Sequence, residues 1–155
     1  RKQMTAIRQV IYISRAADGF AASELPELAA VAARNNKLQG ITGALLFIDN
    51  CFIQVIEGDE RSMSDLLVKL EADPRHHDIR IISDHLEQSR YFSDWSMGLI
   101  STPDEEKPWI RKELRSAAEI SNDEKAQDTI MPMPHTVAMM QRLYETDSIL
   151  QQARN

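Results

Sequence analysis

Gln54, Tyr12, Asn36 and the pair Trp95 and Met97 put hydrogen-bonding or redox-capable groups into otherwise apolar stretches of this 155-residue chain. Gln54 lies between Ile53 and Val55 and shares strand parity with Phe52 and Ile56. A primary amide offers two donors and an acceptor, and leaving it buried without partners costs about 1–3 kcal/mol. It therefore needs partners or an opening, unless it faces solvent on an edge strand. Tyr12 shares a face with Val10 and Ser14; a strand tyrosine gives its ring to a core and its hydroxyl to the rim. Asn35-Asn36 stands where a helix should end, a place that suits asparagine. Yet Asn36 also continues an apolar stripe, so its amide should point inward, where it could bind a polar ring edge. Trp95 and Met97, two apart, would share a face on a strand, and packing alone accounts for such a pair.

The elements that must position these groups follow from the apolar periodicity. Val10-Ile11-Tyr12-Ile13 reads as a buried strand. Ser23 offers an N-cap and Pro26 suits a first turn; Leu25, Leu28, Ala29, Ala32 and Asn36 then recur at helical spacing, with the helix ending near Asn36 and Gly40 just beyond. Two strands, 41–48 and 52–56, flank Asp49-Asn50, a two-residue hairpin turn. Asp59 caps a second helix with the stripe Met63, Leu66, Leu67 and Leu70, and Asp73-Pro74 stops it. Ile79 to Ile82 is a fourth strand and Ser96 to Ile100 a fifth. The order β-α-β-β-α-β-β predicts an α+β fold, a ferredoxin-like sandwich with both helices on one sheet face. The central strands are apolar at both parities, so the other face also needs a cover. After Pro103 the chain turns polar. Helices are expected from Pro108 to Ile120 and from Pro134 to about Gln152, the latter with Val137, Met140, Leu143, Tyr144 and Leu150 as its apolar residues. A loop over 121–128 and a stiff Met131-Pro-Met-Pro134 break separate them. These C-terminal helices are expected to cover the second sheet face or to pack on a partner, which divides the chain into domains 1–102 and 103–155.

Composition narrows the function. The chain has 18 basic and 24 acidic residues, a formal net charge of −6, and no basic stripe, which argues against nucleic acid as a partner. No apolar run is of membrane length. The single Cys51 cannot form an internal disulfide, which fits a reducing, cytoplasmic compartment. The opening Arg1-Lys2-Gln3-Met4 lacks the apolar stretch of a signal peptide. Neither His76-His77 with His85 nor Cys51 with a base makes a convincing metal or nucleophile site, and the acidic runs at 104–106 and 123–124 suit solvated surface.

Tyr12, Asn35-Asn36, Ile41-Thr-Gly43, Gln54 within Phe52-Ile-Gln-Val-Ile-Glu-Gly58, and Trp95-Ser-Met97 occur in an order and at spacings that resemble the BLUF family of flavin-based blue-light sensors. The resemblance runs from about Ile7 to Leu99 and leaves the tail outside it. It implies a flavin, FAD or FMN, held non-covalently between the two helices and against the sheet. Asn35 and Asn36 would bond the ring's polar edge, and Gln54 would sit between the flavin and Tyr12. Lys69, Arg75 and His76 would serve the ribityl-phosphate end, Arg being the better phosphate fork, with Asp73 near the ribityl chain. Tyr12 would give the excited flavin an electron and a proton. Gln54 would relay the proton and be left rotated or as a tautomer, and the changed hydrogen bond would shift absorption slightly to the red. Trp95 and Met97 would carry the change through the fifth strand to the C-terminal helices.

The resulting expectation is a short photosensory protein without a catalytic output domain, acting on a separate effector protein and assembling as a homo-oligomer, since about 55 residues cannot house a typical cyclase or phosphodiesterase domain. A flavin-free interaction module on the same scaffold has no need of Tyr12, Asn36 and Gln54 together. An acylphosphatase-like enzyme would need a glycine-rich phosphate loop, where only Gly19 stands.

Overall fold

The computed structural model describes residues 6–120 and 133–154. The expected loop over 121–128, residues 131 and 132 of the proline-rich break, and the opening tetrapeptide lie outside the described residues. The chain divides into two compact units, Arg1–Leu99 and Ile100–Asn155.

The elements of the first unit run β1 (Ile7–Ala16), α1 (Leu25–Leu38), β2 (Thr42–Ile48), β3 (Cys51–Gly58), α2 (Glu60–Ala72) and β4 (His76–Glu87), and β5 (Gly98–Ile100) begins in it. The strand order is β4-β1-β3-β2-β5. β1 lies between β3 and β4, antiparallel to both, and β2 is antiparallel to β3. Each helix therefore connects two strands with a third inserted between them, the split βαβ arrangement of a ferredoxin-like sandwich. Asp49 and Asn50 take φ of 52° and 61°, the left-handed pair that closes a two-residue hairpin between β2 and β3.

Strand alternation sorts the side chains. Val10, Tyr12, Leu45, Phe52 and Ile56 join Met63 of α2 and Ala29 of α1 in one buried cluster, against which Leu25, Leu28, Ala32, Leu66, Leu67 and Leu70 pack. At the other parity Ile11, Leu46, Ile53 and Val55 are also buried, together with Gln9 and Glu57. α2 begins where Asp59 accepts a hydrogen bond from the Ser62 N–H (2.9 Å) and ends at Asp73. α1 begins differently from the Ser23 cap expected. Residues 22–24 form a 3-10 turn, and the Glu24 carboxylate takes the Ala21 N–H (2.7 Å) instead. The helix runs to Leu38, and Gly40, with φ 68°, reverses the chain so that the Ile41 N–H returns to the Asn36 carbonyl.

Two strands differ from the expected spans. β4 covers twelve residues, because its ladder with β1 continues beyond Ile79 to Ile82 into polar sequence on both sides. β5 is only three residues long, so Trp95 and Met97 precede it and do not follow strand alternation.

The second unit holds a 3-10 turn (Asp104–Glu106), α3 (Lys107–Ile120) and α4 (Pro134–Arg154), and the two helices pack on each other. Ile110, Ala117, Val137, Met139, Met140 and Tyr144 are buried. The start of α4 is tied to α3 by Glu113, whose carboxylate accepts the His135 N–H (2.9 Å), the Thr136 N–H (2.6 Å) and the Thr136 hydroxyl (2.6 Å). Among the described residues no helix is long and apolar enough to cross a membrane.

Candidate functional site

Register brings the first two candidates together. Tyr12 and Gln54 are directly opposite on β1 and β3, and Leu45 of β2 is opposite Gln54 on the other side. Cross-strand partners on one face lie within side-chain reach. The Tyr12 hydroxyl donates to Gln54 Oε1, and Gln54 Nε2 points at Met97 Sδ, 3.3 Å away. All three side chains are buried. Burial, with the negative charge of Asp73 adding to it, pushes the Tyr12 phenol well above its ordinary value. The phenol is therefore neutral and its proton is held on the oxygen that faces Gln54.

These groups form part of the wall of a cavity of about 700 Å³ between α1, α2 and the sheet, within the usual range for a cofactor-sized site. Leu28, Val31 and Ala32 of α1 and Leu66 and Leu70 of α2 line it, with Leu45 and Phe52 from the sheet. The polar groups in this lining include Asn35, Asn36, Gln54 and the Tyr12 hydroxyl. Carboxamides offer donors and acceptors side by side. This set fits a flat heteroaromatic ring that carries carbonyls and N–H groups along one edge and is apolar on its faces.

Asn36 is 4% exposed, and its Nδ2 donates to the Ser96 carbonyl (2.9 Å). It thus ties the end of α1 to the segment before β5 while lining the cavity. Asn35 lines the cavity from an exposed position.

Lys69, Asp73, Arg75 and His76 also line it. Arg75 is engaged by Asp73, with Nη2 2.5 Å and Nε 2.9 Å from its carboxylate oxygens. That pairing holds the Asp73 carboxyl below its usual range. His76 has both ring nitrogens committed: Nε2 lies 2.6 Å from the Leu70 carbonyl and Nδ1 2.8 Å from Ser14 Oγ. A carbonyl only accepts, so Nε2 carries the proton and, in the neutral ring, Nδ1 accepts from Ser14. Both nitrogens of His76 are thus already paired within the protein. Lys69 is exposed.

Trp95 and Met97 are not brought together. Met97 lines the cavity, whereas Trp95 is absent from its lining and stacks on Phe92, with ring centroids 6.3 Å apart and planes at 16°. Cys51 pairs across the sheet with Arg15 and does not line the cavity; burial raises its thiol.

One feature went unassigned in the sequence. Glu57 is fully buried at the parity opposite Gln54, and its carboxylate accepts from Gln9 Nε2 (3.0 Å), Thr42 Oγ1 (3.1 Å) and the backbone N–H groups of Tyr91 (2.6 Å) and Phe92 (2.9 Å). The signal was available: an acid among apolar residues on a strand covered on both faces must find donors.

A family profile described as BLUF, sensors of blue light using FAD, matches residues 7–98. The chain is 31% identical over 94 residues to the beta subunit of a photoactivated adenylate cyclase from Euglena gracilis, covering 60% of this chain and 11% of that protein. It thus spans about a tenth of the length of that curated relative. Among solved structures it is similar to the dark state of BlrB, a BLUF protein, with a TM-score of 0.64 and 27% identity, covering 93% of this chain and 99% of the other. A bacterial light-regulated adenylyl cyclase matches with a TM-score of 0.64 and 25% identity, covering 73% of this chain and 34% of that one.

Proposed function

The chain belongs to the BLUF family, sensors of blue light that use FAD, and on that premise we propose that Tyr12 and Gln54 perform its photochemistry and that its output reaches a separate effector protein. The observation that carries this reading is the buried hydrogen bond from the Tyr12 hydroxyl to Gln54 Oε1, in the wall of a cavity of cofactor size. A bound flavin would supply the blue-light absorption and an excited state able to oxidise a nearby phenol.

Asn35, Asn36 and Gln54 would orient the ring through their amides, and the aliphatic walls from α1 and α2 would hold its faces and exclude water. The phosphate end falls to Lys69, with Arg75 as a second cation. The Asp73–Arg75 pair makes Lys69 the readier phosphate ligand, because Arg75 would have to share its guanidinium with a carboxylate.

As Tyr12 loses an electron, its proton moves from the phenol oxygen to Gln54 Oε1 along the hydrogen bond already present. When an electron and a proton return to Tyr12, the amide of Gln54 would be left rotated or, where the proton given up comes from Nε2 and Oε1 keeps its own, as the imidic-acid tautomer. Either outcome reverses its donor and acceptor pattern. Met97 Sδ, a weak acceptor that faces Nε2 in the resting arrangement, would then face an oxygen after rotation, or an imine nitrogen with one proton fewer after tautomerisation. Met97 directly precedes β5, which leads into Ile100–Asn155, so this is the route by which the change would leave the cavity. A partner responds only if its contacts differ between the two states.

The test is an absorption spectrum of the purified protein before and after blue light. A yellow sample with a small red shift that reverses in the dark is expected. A colourless sample that neither FAD nor FMN reconstitutes contradicts the proposal.

A further inference from the structure

We propose that Gly98 and Glu57 are positioning residues that seat Trp95 on Phe92, outside the cavity, and thereby hold Met97 against Gln54. The inference deepens the photosensory reading above and rests on it for its kinetic consequence.

The indole of Trp95 lies over the α-carbon of Gly98. A β-carbon at position 98 would come within 2.0 Å of Trp95 Cε3 and 2.4 Å of Cδ2. Any side chain there must displace the indole. The indole is also stacked with Phe92, which is itself fully buried. The backbone at Phe92 is fixed by Glu57, which takes the N–H groups of both Tyr91 and Phe92. Arg90 adds hydrogen bonds to Thr42 Oγ1 (2.9 Å) and to the Glu57 carbonyl (3.1 Å). The same segment is held again beyond the indole. The Trp95 carbonyl accepts from the Gly43 N–H (2.9 Å), and the Ser96 carbonyl accepts from Asn36 (2.9 Å). With the backbone fixed at 91, 92, 95 and 96, the side chains at 95 and 97 have little freedom to exchange places.

The placement on β3 matters. Gln54 and Glu57 are three residues apart and project to opposite faces. One strand thus carries the switching amide on its cavity face and the anchor for Trp95 on its other face. A fully buried carboxylate is stable only with its hydrogen bonds made, so the anchor resists local rearrangement while Gln54 changes.

The experiment uses the full flavin-loaded chain carrying Trp109→Phe, which leaves Trp95 as the single tryptophan. Flavin fluorescence lifetime, Trp95 emission and the dark recovery of the red-shifted state are measured for this reference, for Gly98→Ala and for Glu57→Gln. Glu57→Gln keeps the side-chain shape but turns one accepting oxygen into a donor facing backbone N–H groups. In both variants Trp95 emission and flavin lifetime should change, and recovery should shift by about tenfold, equivalent to ~1.4 kcal/mol in the barrier. Adding Trp95→Ala to Gly98→Ala should bring recovery to within about twofold of Trp95→Ala alone, because the clash is gone. Unchanged lifetime and recovery in whichever variants bind flavin would overturn the proposal. So would a Gly98→Ala effect that survives removal of the indole. If the reference shows no blue-light shift, the photosensory reading fails by itself. The seat is then judged from Trp95 emission in the dark, which must still respond to Gly98→Ala.

Discussion

Tyr12 is the residue whose chemistry depends most on its surroundings. Burial makes the phenolate costly, so in the proposed photochemistry the proton would leave only when oxidation drives it, and the acceptor already in place is Gln54. Tyr12→Phe should bind flavin but form no long-lived red-shifted state under continuous blue light; an ordinary photocycle in that variant would assign the electron donor to another residue. The raised phenol also sets a direction for stability. Below the unfolded value of about 10 both states hold the proton, so the contribution is fully present. As pH rises above it the unfolded chain ionises while the folded chain keeps the proton, and stability falls. Denaturant unfolding from pH 8 to 11 should therefore show a loss that Tyr12→Phe makes shallower; equal slopes would mean that Tyr12 ionises alike in both states. At this scale the sequence spoke clearly for Gln54, whose apolar neighbours and strand parity required a partner or an opening. It said little of Glu57, whose four donors come from β1, β2 and a loop more than thirty residues away.

Among the elements, legibility followed the strength of the apolar signal. α2 was readable from Asp59 to Asp73 because a capping side chain, a four-residue stripe and a stop signal all agree. β4 was readable only at its centre. In the described sheet it lies at one end of the strand order and is paired with β1, so exposed polar residues can occupy the flanks that its backbone ladder still includes. β5 was overextended at its start because an i, i+2 pair resembles strand alternation. Trp95 instead stacks on Phe92, while Met97 lines the cavity. The start of α4 rests on a carboxylate from another helix. Glu113→Ala removes three hydrogen bonds to a charged group and should cost about 1–3 kcal/mol. Faster amide hydrogen exchange in the first turn of α4 is the expected sign; unaltered exchange there would show that the cap contributes nothing.

On the proposed reading, the molecule as a whole would separate detection from output along the chain. The lining of the cavity lies within Arg1–Leu99, and α3 and α4 lie within Ile100–Asn155. Pro108 and Pro134 marked the starts of the C-terminal helices, and Val137, Met140, Leu143 and Tyr144 the apolar residues of α4, whereas apolar residues carry no information about which partner would read these helices. If the signal leaves through Met97 and β5, light should alter hydrogen exchange first in residues 88–100 and then in α3 and α4. Changes confined to residues before 98 would mean that the output is read from the flavin-binding unit directly. The proposed triangle of phenol, carboxamide and flavin is tested most directly by a light-minus-dark difference spectrum of flavin-loaded Gln54→Ala beside the unaltered protein. The account predicts bound flavin with no red shift in the variant. A red shift of normal size and lifetime in Gln54→Ala would contradict it.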